Sequence, residues 1–221
     1  VHIVAPRAQV LPHAAHLPVS HDGERNVRVL LHQHARSPRE LVVALLGLEA
    51  AAADGQIFAG ASAIGKHLLL RFRDPATGAE LPDEIHIHLG LFGKFKRFKN
   101  EAVREGGAIR LRLVGAVYTW QLSGPTACHW ITAEEVQALR ERIGSDPLDA
   151  TADPERAWAT VTRSRRPVGA LLLDQSVFSG IGNVYRAELL FLLGVHPELP
   201  SKALGRARFE ELWRLSVELL A

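Results

Sequence analysis

The residues Gly180-Ile181-Gly182-Asn183 combine two glycines with a helix-capping residue type, directly before an apolar helical stretch. Bare backbone amides at the start of a helix can hold an anion, because the first N–H groups have no partner inside the helix and carry the positive end of its dipole. The same pattern also describes an ordinary glycine-containing corner between two helices, and the local residues leave both readings open. A second feature points to anions as well. Between Gly90 and Arg112 lie seven basic residues (Lys94, Lys96, Arg97, Lys99, Arg104, Arg110 and Arg112) against two acids, Glu101 and Glu105. A polyanion suits such a stretch. Histidine offers a third chemistry. Six of the eleven histidines fall within the first 34 positions, and His32-x-His34 could place two imidazoles on one side of a strand, but no third ligand is spaced nearby. No metal site is expected, and a metal centre built on His32, His34, His86 and His88 is the weakest of the readings.

These residues need elements to hold them. The chain has 221 residues, 47% hydrophobic and 23% charged, with a formal net charge of +2. That composition suits a globular protein of one large or two small domains and excludes a disordered or fibrous chain. Cys128 is the single cysteine, so neither an internal disulfide nor a four-cysteine zinc site is expected. No apolar run approaches the roughly 20 residues of a membrane span, and a soluble, cytoplasmic protein without membrane contact is expected.

Residues 1–50 show no lasting period and read as an irregular segment, with a wrong-frame or misassigned start as the expectation. Residues 51–123 read as an antiparallel β-sandwich. Ile85, Ile87 and Leu89 alternate with His86 and His88, and Ile109, Leu111 and Leu113 alternate with Arg110 and Arg112, which predicts half-buried strands with a basic outer face. After Ser123-Gly124-Pro125 helices are predicted, making residues 126–221 an all-helical domain and the whole fold α+β. Thr132 with Glu135 forms a capping box for the first helix, and Asp153-Pro154 opens the second. Three more are predicted at Val168–Phe178, Asn183–Leu193 and Ser201–Leu220. In the fourth, Asn183 is the expected cap and Val184, Ala187 and Phe191 the expected core-facing stripe.

The stretch Leu173-Asp174-Gln175 through Gly180-Ile181-Gly182-Asn183-Val184-Tyr185 to Phe191 resembles the helix-two-turn-helix motif of the Fpg/Nei DNA glycosylases. Gly65-Lys66-His67-Leu68 resembles that family's lysine-bearing turn, and His88-Leu89-Gly90-Leu91-Phe92-Gly93 its void-filling loop. Pro125-Thr126-Ala127-Cys128 and Asp146-Pro147-Leu148 follow in family order, so the resemblance runs from about Gly60 to the C-terminus. It implies a base-excision repair glycosylase with abasic-site lyase activity on oxidised bases, with damaged double-stranded DNA as partner. An oxidised base must leave the duplex stack, and the gap favours an inserted wedge. By resemblance Leu91 and Phe92 are that wedge, in a pairing that leans towards Nei. Asn183 binds a backbone phosphate, and Lys66 contacts phosphate at the damaged nucleotide and assists elimination. Lys94 and Arg97 are expected among the basic residues that add phosphate attraction.

Two departures temper the resemblance. The family's mature chain begins Pro-Glu, the proline amine attacking the sugar C1′, whereas this sequence begins Val1-His2. Most members also carry a zinc finger, and here no cysteines supply one. The expectation is an incomplete or frame-disrupted copy of such an enzyme, without cofactor and monomeric, and whether it turns over as it stands is left open by the missing Pro-Glu. A non-catalytic DNA-binding module that keeps the helix-two-turn-helix is the alternative.

Overall fold

The computed structural model describes residues 55–100 and 109–221, together with the backbone of residues 42–45. Eight strands come first: β1 Val42–Leu45, β2 Ile57–Ile64, β3 His67–Arg73, β4 Glu84–His88, β5 Lys94–Lys99, β6 Ile109–Val114, β7 Tyr118–Ser123 and β8 Ala127–Ile131. They hydrogen-bond in the order β5-β7-β6-β1-β2-β3-β4-β8, every pair antiparallel. Side chains from both ends of this order, including Phe95 and Trp120 at one and Phe72 and Trp130 at the other, join one apolar cluster. The sheet therefore folds over a single core as a sandwich. The predicted alternation holds on the core side, where Ile85, Ile87, Leu89, Leu111 and Leu113 are all buried.

Three expectations for this half need correction. β1 lies inside the segment read as irregular, yet it pairs with β6 from Val42 to Leu45 and with β2 at Val42. A short apolar run without polar alternation is what a central strand looks like in sequence; the rest of residues 1–50 falls outside the described residues. The sheet also continues past Gly124-Pro125, because β8 pairs with β4 over Ala127–Ile131. Finally, the face opposite the core is not uniformly open. His86 is buried there, and Leu69 on the same side packs with Ile131, Val136 and Ile64.

The helical half contains α1 Ala133–Arg142, α2 Pro154–Val161, α3 Val168–Leu171, α4 Asn183–Leu192 and α5 Arg206–Leu220. Local signals placed the first two correctly. Thr132 and Glu135 exchange both capping bonds, and Asp153 accepts from the Glu155 N–H with Pro154 in the first turn. α3 is far shorter than predicted. The Asp174 side chain accepts from both the N–H and the hydroxyl of Ser176, and its carbonyl accepts from Val177 and Phe178, so the chain turns where the helix would continue. The predicted fifth helix is split. A 3₁₀ turn at Ser201–Ala203 ends at Gly205, whose φ of 78° breaks the helical path before α5 begins. Phe178, Phe209 and Trp158 meet in the core of this half with Leu171, Leu189 and Leu212.

Candidate nucleic-acid interface

The β2–β3 turn carries Gly65 and Lys66. Gly65 has φ 55°, and its N–H donates to Asp146 Oδ2 at 3.2 Å, tying the sheet to the segment after α1. Across that junction the backbone of the helical half is cross-linked. Gly144 N–H donates to Gln175 O at 2.8 Å, Ser179 N–H donates to Ser145 O at 3.0 Å, and Ser145 bridges Phe178. The turn therefore sits against the loop leading into α4. There Lys66 Nζ donates to the Ile181 carbonyl at 2.7 Å, across 115 residues of sequence.

α4 begins two residues after that carbonyl. Its N-cap is Gly182 and not the expected Asn183, which is the first helical residue and is exposed beside exposed Val184. Glycine has no side chain with which to cap the first amides, and no side-chain cap bond is made at this helix start. The expected core stripe is wrong. Val184, Ala187 and Phe191 are exposed, Phe191 by 81%, while Leu189 and Leu190 are buried. α4 has apolar residues on two faces, and the packing against α3 and α5 selects the other one.

β3 and β4 run antiparallel with Leu68 opposite Ile87, so the Lys66 turn and the loop after His88 emerge at the same end of the sheet. Gly90, at φ 64°, and a bond from Gly93 N–H to Leu89 O at 3.0 Å fold this loop tightly. A Cβ at Gly90 would lie 1.8 Å from Thr126 Oγ1, so only glycine fits. At the tip Leu91 and Phe92 are 71% and 80% exposed, which suits a wedge and not a core pair.

Lys94 and Arg97 do not share a surface. Strand alternation puts Arg97 on the side of buried Phe95 and Lys94 on the other. The Arg97 guanidinium lies 4.7 Å over the Tyr118 ring and 5.7 Å over Trp120, closing the edge of the core while itself exposed. Lys94, opposite Ser123 at the start of β5, is exposed at the end of the sheet from which the Leu91-Phe92 loop arises.

Sequence reasoning missed a chain of imidazoles beside Lys66. His67 Nδ1 lies 2.7 Å from His86 Nε2, and His86 Nδ1 lies 3.4 Å from His129 Nε2. His67 also stacks on His86 and His88 with ring centroids 5.0 Å apart. Burial first, then the neighbouring imidazoles and Arg142, push His67 and His86 down to about 4. Burial, with the Lys66 ammonium second, lowers His88 also. His67, His86 and His88 are therefore neutral at physiological pH, and Lys66 and Arg142 are the cations beside them. Three different strands supply these histidines, and only the register of β4, which sets His86 opposite His129 on β8 and opposite Leu69 on β3, could have signalled them. Among the described residues no three His, Cys, Asp or Glu side chains are placed to hold a metal ion. No helix among them is long and apolar enough to cross a membrane.

Comparison with known proteins gives a consistent picture. Residues 143–221 match the formamidopyrimidine-DNA glycosylase H2TH domain. The chain is 40% identical over 175 residues to Endonuclease 8 1 of Mycobacterium tuberculosis, covering 77% of this chain and 63% of that protein. It is 35% identical over 198 residues to probable endonuclease 8 2 of Streptomyces coelicolor, covering 87% of this chain and 66% of that one. The chain thus spans slightly less than two thirds of these relatives. Among solved structures, Lactococcus lactis Fpg in complex with DNA containing an abasic site superposes with a TM-score of 0.73 at 21% identity, covering 90% of this chain and 76% of that one.

Proposed function

The chain belongs to the Fpg/Nei family of DNA glycosylases, and from that premise we propose that it grips damaged duplex DNA for base-excision repair. The proposed activity is a Nei-like glycosylase with abasic-site lyase chemistry on oxidised bases. The observation that carries the reading is the seat of Lys66 Nζ on the carbonyl of Ile181, two residues before Asn183. That contact brings a lysine and an uncapped helix start to the end of the sheet where Leu91 and Phe92 stand exposed. In this reading Lys66 and Asn183 hold phosphates beside the lesion, Leu91 and Phe92 fill the space left by the extruded base, and Lys94 adds sequence-independent attraction. Arg97 contributes charge while stacked on its own aromatic neighbours. The grip needs no cofactor, and a monomer is sufficient for it.

Equilibrium binding to a duplex with one tetrahydrofuran abasic analogue, compared with the undamaged duplex, tests this. The expected result is tighter binding to the damaged duplex, with log K falling steeply and linearly against log salt. Equal affinity for both duplexes would sink the damage-recognition reading. Borohydride trapping on a natural abasic site separates the two classes of activity: a covalent adduct supports a lyase, and salt-sensitive binding without one supports a non-catalytic module. Replacing Leu91 and Phe92 together by alanine should leave thermal stability unchanged, because both side chains are exposed. It should weaken discrimination for the damaged duplex by about tenfold, since one unstacked step costs a few kcal/mol that the wedge offsets. A fall in melting temperature would instead place the pair in the folded core.

A further inference from the structure

We propose that Gln175 is a positioning residue for phosphate capture, an inference that rests on the DNA-binding reading above. Gln175 lies in the turn between α3 and α4, and its carboxamide is used at both ends. Nε2 donates to the Ile181 carbonyl at 2.9 Å and to the Leu173 carbonyl at 3.1 Å, while Oε1 accepts from the Gly180 N–H at 3.1 Å. One side chain thus braces the loop across the glycines that precede α4. Its own carbonyl accepts from Gly144 N–H, which anchors the brace to the segment after α1.

The consequence lies at Ile181. A carbonyl oxygen has two lone pairs, and at Ile181 they meet Gln175 Nε2 at 2.9 Å and Lys66 Nζ at 2.7 Å. Gln175 therefore fixes the direction in which the carbonyl faces Lys66, and with it where the ammonium rests relative to the first turn of α4. Without the amide the glycine-flanked peptide at Ile181 can rotate, and the lysine loses its fixed distance to the helix start. Both groups must approach the same strand of phosphates for the grip to work, so Gln175 acts on DNA through Lys66 and not by contact.

A double-mutant cycle in the full chain tests this, because coupled residues depart from additivity and independent ones do not. Affinity for the tetrahydrofuran duplex is measured for the unsubstituted chain, Gln175→Met, Lys66→Ala and the double variant. Methionine keeps the volume and removes the amide. Gln175→Met should weaken binding about tenfold when Lys66 is present, as expected for loss of a hydrogen bond that orients a charged group. It should also lower the salt slope by about one, the loss of one phosphate contact. On the Lys66→Ala background it should change affinity by less than about twofold. Equal losses on both backgrounds would show that Gln175 serves only to fold the loop, and would overturn the inference while leaving the DNA reading intact. Absence of binding by the unsubstituted chain would overturn both. Should Gln175→Met melt early, Gln175→Glu, which keeps the acceptor for Gly180 but cannot donate to Ile181 when ionised, carries the same comparison.

Discussion

Gly65→Ala is expected to destabilise the chain by about 3 kcal/mol or more and to weaken the proposed DNA binding in the fraction that remains folded. Two costs add. The residue sits at φ 55°, where a side chain costs about 1–2 kcal/mol on its own. In addition, the new Cβ would lie 2.1 Å from Ser179 Oγ and 3.4 Å from the Gly180 nitrogen. Ser179 is fully buried and its N–H is bonded to Ser145, so its backbone is held in place. Rotating the hydroxyl away drives it into packed surroundings, and parting the turn from the helical half would stretch the Gly65–Asp146 bond and lift Lys66 from Ile181. Forced separation of this kind costs about 1–3 kcal/mol beyond the backbone strain. Urea unfolding reads the sum. Gly194→Ala is the control, because Gly194 has φ 60° with nothing within 4 Å of its Cβ position; only the backbone cost should appear there. Ser179 Oγ has no hydrogen-bond partner, so Ser179→Ala should be nearly neutral alone and should recover about half the loss in combination with Gly65→Ala. Similar losses at Gly65 and Gly194 would show that the close approach of sheet and loop does not matter.

The parts of this structure that were legible in sequence are those whose causes are local. Thr132 and Glu135 lie three residues apart and satisfy each other, and Asp153 with Pro154 starts a helix by its own chemistry, so both helix starts are where their residues place them. Ile85 and Ile87 share the side of β4 that faces the apolar core, and the period alone shows that side, though not that His86 is buried on the other. Legibility fails where a distant partner decides. Val184, Ala187 and Phe191 have the spacing of a core stripe as good as that of Leu189 and its neighbours, and nothing within α4 says which face meets α5. β8 is a strand because β4 lies ready to pair with it, not because Ala127-Cys128-His129 is a strong strand sequence. The candidate site shows the same division. Leu91 and Phe92 between glycines could be read as a turn tip from four residues. The bond from Lys66 to Ile181 could not, and the resemblance reached the two residues without the carbonyl and the amide that join them.

Stability is expected to fall as pH drops from 7 to 5, and the imidazole chain is the cause. His67 and His86 are held down to about 4 in the folded protein against an ordinary value of 6.5. Between those values the unfolded chain binds protons that the folded chain refuses, so protons favour unfolding. The contribution of this pair is constant above about pH 7 and is lost progressively as pH falls through 6.5 towards 4. Full linkage would cost about 2 kcal/mol per ring by pH 5; residual solvent at both rings reduces this to about 2 kcal/mol for the pair. Most carboxylates lie outside this window; Glu84 is the exception, raised first by burial, and its sign is opposite, since the folded chain takes up its proton more readily. Asp174, stabilised first by the Ser176 hydroxyl and then by Arg166, and Asp149, stabilised first by Thr151, are held below the usual range, so their contribution is lost only at more acid pH. The groups facing the two rings are His88, His129 and Arg142, with Lys66 beside His88. None of these groups offers a negative charge to offset a proton on His86. Urea unfolding at pH 7, 6 and 5 should therefore show a decline that His86→Gln makes shallower by at least half, since the substitution removes one proton site and relieves the other. A decline of equal slope in His86→Gln would exclude this cluster as the source. For the proposed DNA binding the sign is inverse: phosphate brought against Lys66, whose ammonium acts on His88, lowers the cost of charging the neighbouring rings, so affinity should rise over the same pH range in which the free protein loses stability.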